Sequence, residues 1–174
     1  MENKKVNILI NKDEIEKRII ELGAEISKDY EGKNLYVLSL LRGSFIFAAD
    51  LVRHITVPTK IGFMTTSSYG HNEQSSGSVM VVNDIPDNIE DCDVLIVDDI
   101  VDTGITMQFV MEHVKALGAK TVYSCVLLDK PERRKVNLKP DYCCFEIPDV
   151  FVVGYGLNYG DYYRNIPYVF NWED

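Results

Sequence analysis

Three apolar runs without polar alternation, LYVLSLL at 35–41, DVLIV at 93–97 and TVYSCVLL at 121–128, constrain this chain more than any other feature. A strand with one face in water alternates apolar and polar residues, so a continuous run must be covered on both faces. The cover comes from the segments between the runs. Ile15, Ile19, Leu22 and Ile26 recur at helical spacing within 11–30, where Asn11 and Glu14 fit a capping box and Gly32 marks a stop. FIFAADLVRHI (45–55) reads as a second helix after the turn RGS. Met107, Val110, Met111, Val114 and Leu117 share one face of a third, which Gly118 caps. Further strands are expected at KIGFMTTSS, SVMVVND and FVVGYGL, the last of them before an aromatic tail ending at Trp172, and the polar stretch 69–77 reads as a mobile surface loop. Strands alternating with helices predict the α/β class, with a mostly parallel twisted sheet flanked by helices on both faces. Ligands of such sheets sit beyond the carboxyl ends of the strands.

The chain has 174 residues, the length of one domain, and residues 1–174 are read as a single unit. No apolar run approaches the ~20 residues that cross a bilayer. The opening MENKKVNILINKDEIE turns polar too soon for a signal peptide, so the cytoplasm is the expected location and no membrane partner is expected. Cys92, Cys125, Cys143 and Cys144 show no CxxC spacing and read as reduced packing residues. A net charge of -9 argues against broad contact with a nucleic-acid backbone. An acidic chain that handles anions must build its positive potential locally.

Such a place lies at the end of the second run, in VDDIVDTGIT (97–106). Asp98 and Asp99 are expected to leave the strand, a third carboxylate follows at Asp102, and Thr103, Gly104, Ile105 and Thr106 turn into the third helix. Backbone amides and two hydroxyls at a helix start suit a phosphate. The neighbouring acids would repel that phosphate unless they serve ribose hydroxyls, Mg²⁺ or a proton; the plainer alternative is that they cap a helix and solvate a loop. Two rivals share parts of this pattern. A nucleotide-sensing RNA-binding regulator would need a basic face, and a phosphoacceptor receiver domain would not need VDTGIT directly after its acids.

VLIVDDIVDTGIT resembles the motif of type I phosphoribosyltransferases that binds phosphoribosyl pyrophosphate (PRPP), and its details are similar to the hypoxanthine-guanine branch. LSLLRGSFIFAADL resembles that branch's pyrophosphate loop, SSYG its mobile catalytic loop, and FEIPDVFVVGYGLNYGDYYRNIPYV its purine and pyrophosphate segment. The resemblance spans nearly the whole chain. It implies the type I fold, with a small hood formed by the N- and C-terminal segments, and purine salvage: Mg²⁺-dependent transfer of the phosphoribosyl group from PRPP to hypoxanthine or guanine, giving IMP or GMP and pyrophosphate.

The resemblance also assigns residues. The 5-phosphate would rest on Asp102, Thr103, Gly104, Ile105 and Thr106, while Asp98 and Asp99 hold ribose hydroxyls and the metal. Leu41, Arg42 and Gly43 would form the pyrophosphate loop, with a non-proline cis peptide, and Arg164 would pair with pyrophosphate. Lys130 would reach the purine O6, Phe151 would stack on the base, and Val152 would offer backbone groups to its 2-position edge; without the resemblance Phe151 and Val152 read as core residues and Lys130 as a solvated side chain. Asp102 would be the general base at purine N7, and a loop carrying Ser68 and Tyr69 would close over the site. Asn158 stands where the family pattern has an aspartate near the second Mg²⁺. Arg133 and Arg134 read as a solvated charge run. His71 is expected to face solvent, and His54 and His113 to lie on helices without ligand-like neighbours. A homodimer or homotetramer is implied.

Overall fold

The three apolar runs fold into the middle of one sheet, and the periodic segments lie against its two faces. The computed structural model describes residues 5–68 and 79–173. In chain order these form β1 (Val6–Ile10), α1 (Lys12–Asp29), β2 (Leu35–Leu41), α2 (Phe45–Val52), β3 (Thr59–Ser68) and β4 (Val79–Asn83). There follow β5 (Asp93–Val101), α3 (Ile105–Ala116), β6 (Thr121–Asp129), a 3₁₀ turn at Pro131–Arg133, β7 (Tyr142–Glu146) and β8 (Val169–Trp172). The main sheet has the order β4-β3-β2-β5-β6-β7. All its pairings are parallel except that of β4 with β3.

Successive side chains of a strand point to opposite faces, and here both faces are dry. Leu35, Val37, Leu95, Val97, Cys125 and Leu127 meet Ile15, Ile19, Leu22 and Ile26 of α1 and Phe47 and Leu51 of α2. Tyr36, Leu38, Leu40, Val94, Ile96 and Val126 meet Met107, Val110 and Val114 of α3 on the other face. That two-sided burial explains why the runs lack polar alternation. The Asn11 capping box forms with both of its hydrogen bonds, and Gly118 follows α3 at φ +91°, a left-handed position that suits glycine. All four cysteines are free thiols, and Cys92, Cys125 and Cys144 are buried.

Several expectations need correction. FVVGYGL is not a strand: Gly154 (φ +96°), Tyr155 (φ +50°) and Gly156 (φ +101°) turn the backbone out of extension, leaving only isolated bridges such as Val153 to Phe170. The strand of that region is β7, whose short YCCFE sequence carries little signal and which is placed by pairing with β6. β5 runs on to Val101, so Asp98 and Asp99 lie within it and do not leave it. α2 stops at Val52, which leaves His54 beyond the helix, and Leu117 at the end of α3 is exposed. β1 and β8, near the two ends of the chain, pair antiparallel with Val6 opposite Trp172 and make the small second sheet of the hood. Among the described residues no helix is long and apolar enough to cross a membrane.

Candidate active site

β5 carries its two central acids on a backbone they help to shape. Asp98 Oδ1 accepts from Asp99 N at 2.9 Å, and Asp99 Oδ1 from Ile100 N at 2.8 Å. Burial pushes the Asp98 carboxyl well above the usual carboxylate range, and the charge of Asp99 adds to this. Asp99 is also pushed up by burial, against hydrogen bonding to Asp98 and Ile100 N and the charge of Arg164. Burial and mutual repulsion both disfavour the ionised pair, and a nearby cation would offset them.

After Val101 the chain turns through Asp102 and Thr103 to Gly104 (φ +83°), the residue before α3. Among the described residues no side chain caps this helix, and the nearby hydroxyl contact is a long 3.4 Å one from Ile105 N to Thr103 Oγ1. The amides of the first turn therefore remain available to a ligand. They border a pocket of about 130 Å³ whose lining includes Asp98, Asp102, Thr103, Gly104 and Thr106.

This turn is braced from behind by residues 130–138. Lys130 N donates to Val101 O and Lys135 N to Thr103 O, both at 2.9 Å. A Cβ on Gly104 would lie 2.8 Å from Val136 Cγ2 and 2.9 Å from Arg134 Cδ. Arg134 pairs with Asp129 and donates to Leu138 O at 2.7 Å; the two paired side chains are only 13% and 8% exposed. Arg134 is thus a part-buried strut, where the local RR pattern suggested solvated charge. Arg133 spans Asp102 (Nε to Oδ1, 2.7 Å) and Asp149 (3.4 Å), so it too is committed to carboxylates.

The loop after β2 packs onto the acids. Its Leu41–Arg42 peptide is cis, and Arg42 is exposed. Ser44 anchors the loop by donating to Leu40 O, and its hydroxyl lies 2.7 Å from that of Ser39, both residues being buried. A Cβ on Gly43 would fall 1.8 Å from Asp99 Oδ2, and one on Gly156 would fall 2.2 Å from Gly43 O. Only glycines permit that three-layer contact. Arg164 closes it, donating to Gly156 O at 2.6 Å and placing its charge near Asp99. Tyr155, between Gly154 and Gly156, donates its hydroxyl to Asp50 of α2. The Gly-x-Gly of FVVGYGL was the available signal for this packing, and reading it as a strand missed it.

The remaining predicted residues divide. Lys130 is buried (7% exposed) and makes no ion pair among the described residues. Phe151 is 59% exposed and so is not a core residue, whereas Val152 is buried. Asn158 is exposed, and its Nδ2 donates to Gly160 O. Tyr69, His71 and the Ser68 side chain lie outside the described residues. His113 has a partner after all: its Nε2 sits 2.9 Å from Asp84 Oδ1. No group of three or more His, Cys, Asp or Glu placed to hold a metal occurs among the described residues.

A mostly parallel sheet with an uncapped strand-turn-helix junction, an acid pair and a glycine-packed loop at one edge is an arrangement suited to an enzyme that handles a sugar phosphate. Residues 6–160 match the model of the phosphoribosyl transferase domain family. The chain is 42% identical over 162 residues to the hypoxanthine-guanine phosphoribosyltransferase of Bacillus subtilis, covering 93% of this chain and 90% of that protein. It is 45% identical over 172 residues to the hypoxanthine phosphoribosyltransferase of Haemophilus influenzae, covering 97% and 96%. A crystal structure of a hypoxanthine phosphoribosyltransferase from Staphylococcus aureus superposes with a TM-score of 0.92 at 40% identity, over 96% of this chain and 91% of that one. The chain belongs to the phosphoribosyltransferase family, within its hypoxanthine-guanine branch.

Proposed function

We propose that this chain is a purine-salvage enzyme that transfers the 5-phosphoribosyl group of PRPP to hypoxanthine, and to guanine, giving IMP or GMP and pyrophosphate with the help of Mg²⁺. One observation carries the reading: the loop 41–43, Asp99 and the Gly156–Arg164 segment converge next to Asp98, which lines the pocket at the turn 102–106. That arrangement offers one place for a 5-phosphate and another for a departing pyrophosphate.

In this reading the amides and hydroxyls of Asp102 to Thr106 hold the 5-phosphate, and Asp98 and Asp99 take the ribose hydroxyls. The acid pair fits Mg²⁺ by its chemistry, since hard carboxylate oxygens are pressed together where a cation would relieve them, and Asn158 would add an amide oxygen. A metal held by these residues would supply positive charge to offset the negative charge developing on the leaving group. Arg164 and the backbone of Leu41, Arg42 and Gly43 stabilise the same charge from the protein side. Lys130 donates to the purine O6, Phe151 stacks on the ring, and Val152 presents backbone groups to its 2-position edge. As the bond from purine N9 to ribose C1′ forms and that from C1′ to pyrophosphate breaks, Asp102 takes the proton from N7. Ser68 and Tyr69 belong to a loop that closes to exclude water.

We further read residues 1–174 as one phosphoribosyltransferase domain acting in the cytoplasm without nucleic-acid or membrane partners. It would assemble as a homodimer or homotetramer; the exposed Ile61 and Phe63 of β3 and Met80 and Val82 of β4 support self-association. The test is to incubate the protein with PRPP, Mg²⁺ and each purine separately and to identify the nucleotide formed. IMP from hypoxanthine, with turnover abolished by excess chelator, is expected. No nucleotide from either base overturns the assignment, and full turnover in chelator overturns the metal requirement.

A further inference from the structure

Phe151 is 59% exposed, so the core does not set the angle of its ring. A stacking platform binds best when its angle is set before the base arrives, because a ring that must be ordered on binding loses part of the contact free energy. Among the described residues one aromatic ring lies against it: Tyr159, with centroids 5.9 Å apart and planes at 78°, an edge-on pair. Tyr159 and Tyr162 exchange backbone hydrogen bonds at 3.2 Å in both directions, which closes the turn that carries Tyr159. On its other side Tyr159 meets Trp172 edge-on at 5.2 Å and 69°. Trp172 is in turn held by Phe170 (5.5 Å) and Tyr163 (5.7 Å), and sits in the small sheet opposite Val6. A continuous series of edge-on rings therefore connects the paired terminal strands to the proposed base platform.

We propose that Tyr159, backed by Trp172, is a positioning residue for the purine, acting by fixing the angle of the Phe151 ring. The inference rests on Phe151 being the stacking ring. Tyr159 is itself 53% exposed and its ring alone makes these contacts, so its hydroxyl is dispensable to the role.

The experiment measures KM for hypoxanthine at saturating PRPP, KM for PRPP at saturating hypoxanthine, and the thermal unfolding midpoint, for Phe151→Leu, Tyr159→Leu, Tyr159→Phe and Trp172→Leu. Edge-on aromatic pairs are worth enough to change a binding constant by about two- to tenfold. Tyr159→Leu should raise the hypoxanthine KM by that amount and leave the PRPP KM within about twofold; Tyr159→Phe should behave as the unaltered protein. Trp172→Leu should show the same purine-selective rise, and it serves as the deciding variant if Tyr159→Leu does not fold. A raised hypoxanthine KM in Phe151→Leu but not in Tyr159→Leu overturns the positioning role and leaves the stacking reading intact. An unchanged KM in Phe151→Leu overturns the stacking reading, and this inference with it. Equal rises for both substrates, or a Tyr159→Phe variant as impaired as Tyr159→Leu, likewise overturn it.

Discussion

The proposed phosphate cradle at 97–106 and the hood segment at 151–164 meet where Arg164 brings its charge near Asp99, but they are held in different ways. In the cradle, acids bond to the next residue's amide, a glycine takes the left-handed turn, and a helix begins. Most of what shapes it is local. The hood segment has no regular structure: three consecutive positive-φ residues carry it past the Gly43 carbonyl, and its fixings reach to Asp50, Asp99 and Trp172. A local motif can be copied whole from one protein to another, whereas a segment fixed from a distance depends on everything it touches. Changes in the cradle should therefore act on chemistry or stability, and changes in the hood on what binds, base or metal.

Asp102→Asn tests this most severely. Loss of the proposed base should lower kcat by roughly 10²- to 10⁴-fold while the amide cradle keeps PRPP binding mostly intact. Steady-state kinetics with chemistry limiting would contradict the role if kcat moved less than about threefold.

Next in size is Arg134→Met, which leaves Asp129 as a buried acid without its partner. Breaking such a pair costs about 3 kcal/mol or more, so urea denaturation should show that loss. A change of a few tenths of a kcal/mol would mean that the brace behind Gly104 carries no load and that the cradle stands by local geometry alone.

Lys130→Ala should raise the purine KM by about tenfold, the scale of one charge-assisted hydrogen bond. The PRPP KM should change far less. Equal effects on both substrates would remove Lys130 from the base edge and blur the line between the two regions.

The smallest expected effect is at Asn158, in the hood. Asn158→Asp replaces a dipole with a charge near the proposed metal and should lower the Mg²⁺ concentration for half-maximal activity by roughly fivefold, the scale of one unit-charge contact in water. The titration should be run at fixed PRPP with free Mg²⁺ calculated. An unchanged or higher value would show that the side chain lies away from the metal.

Much of this molecule could be read from residue order. Short runs such as LYVLSLL and DVLIV, bounded by turn residues, fit a strand covered on both faces, because successive side chains of a strand point opposite ways. The Asn11 cap and the shared face of Met107, Val110 and Val114 depend on neighbours within a few positions, and those neighbours are printed in the sequence. The order Asp98, Asp99, Asp102, Thr103, Gly104 already placed three acids and a left-handed turn at one strand-to-helix junction.

Tertiary structure decided the rest. Whether Phe151 is core or exposed, whether Arg134 is solvated or a part-buried strut, and why Gly43 and Gly156 must lack side chains depend on contacts between residues distant along the chain. Local pattern reports the period of an element and the preference of its turns. It does not report which other element will stand against it, and burial, ion pairing and close backbone approach are properties of that second element as much as of the first.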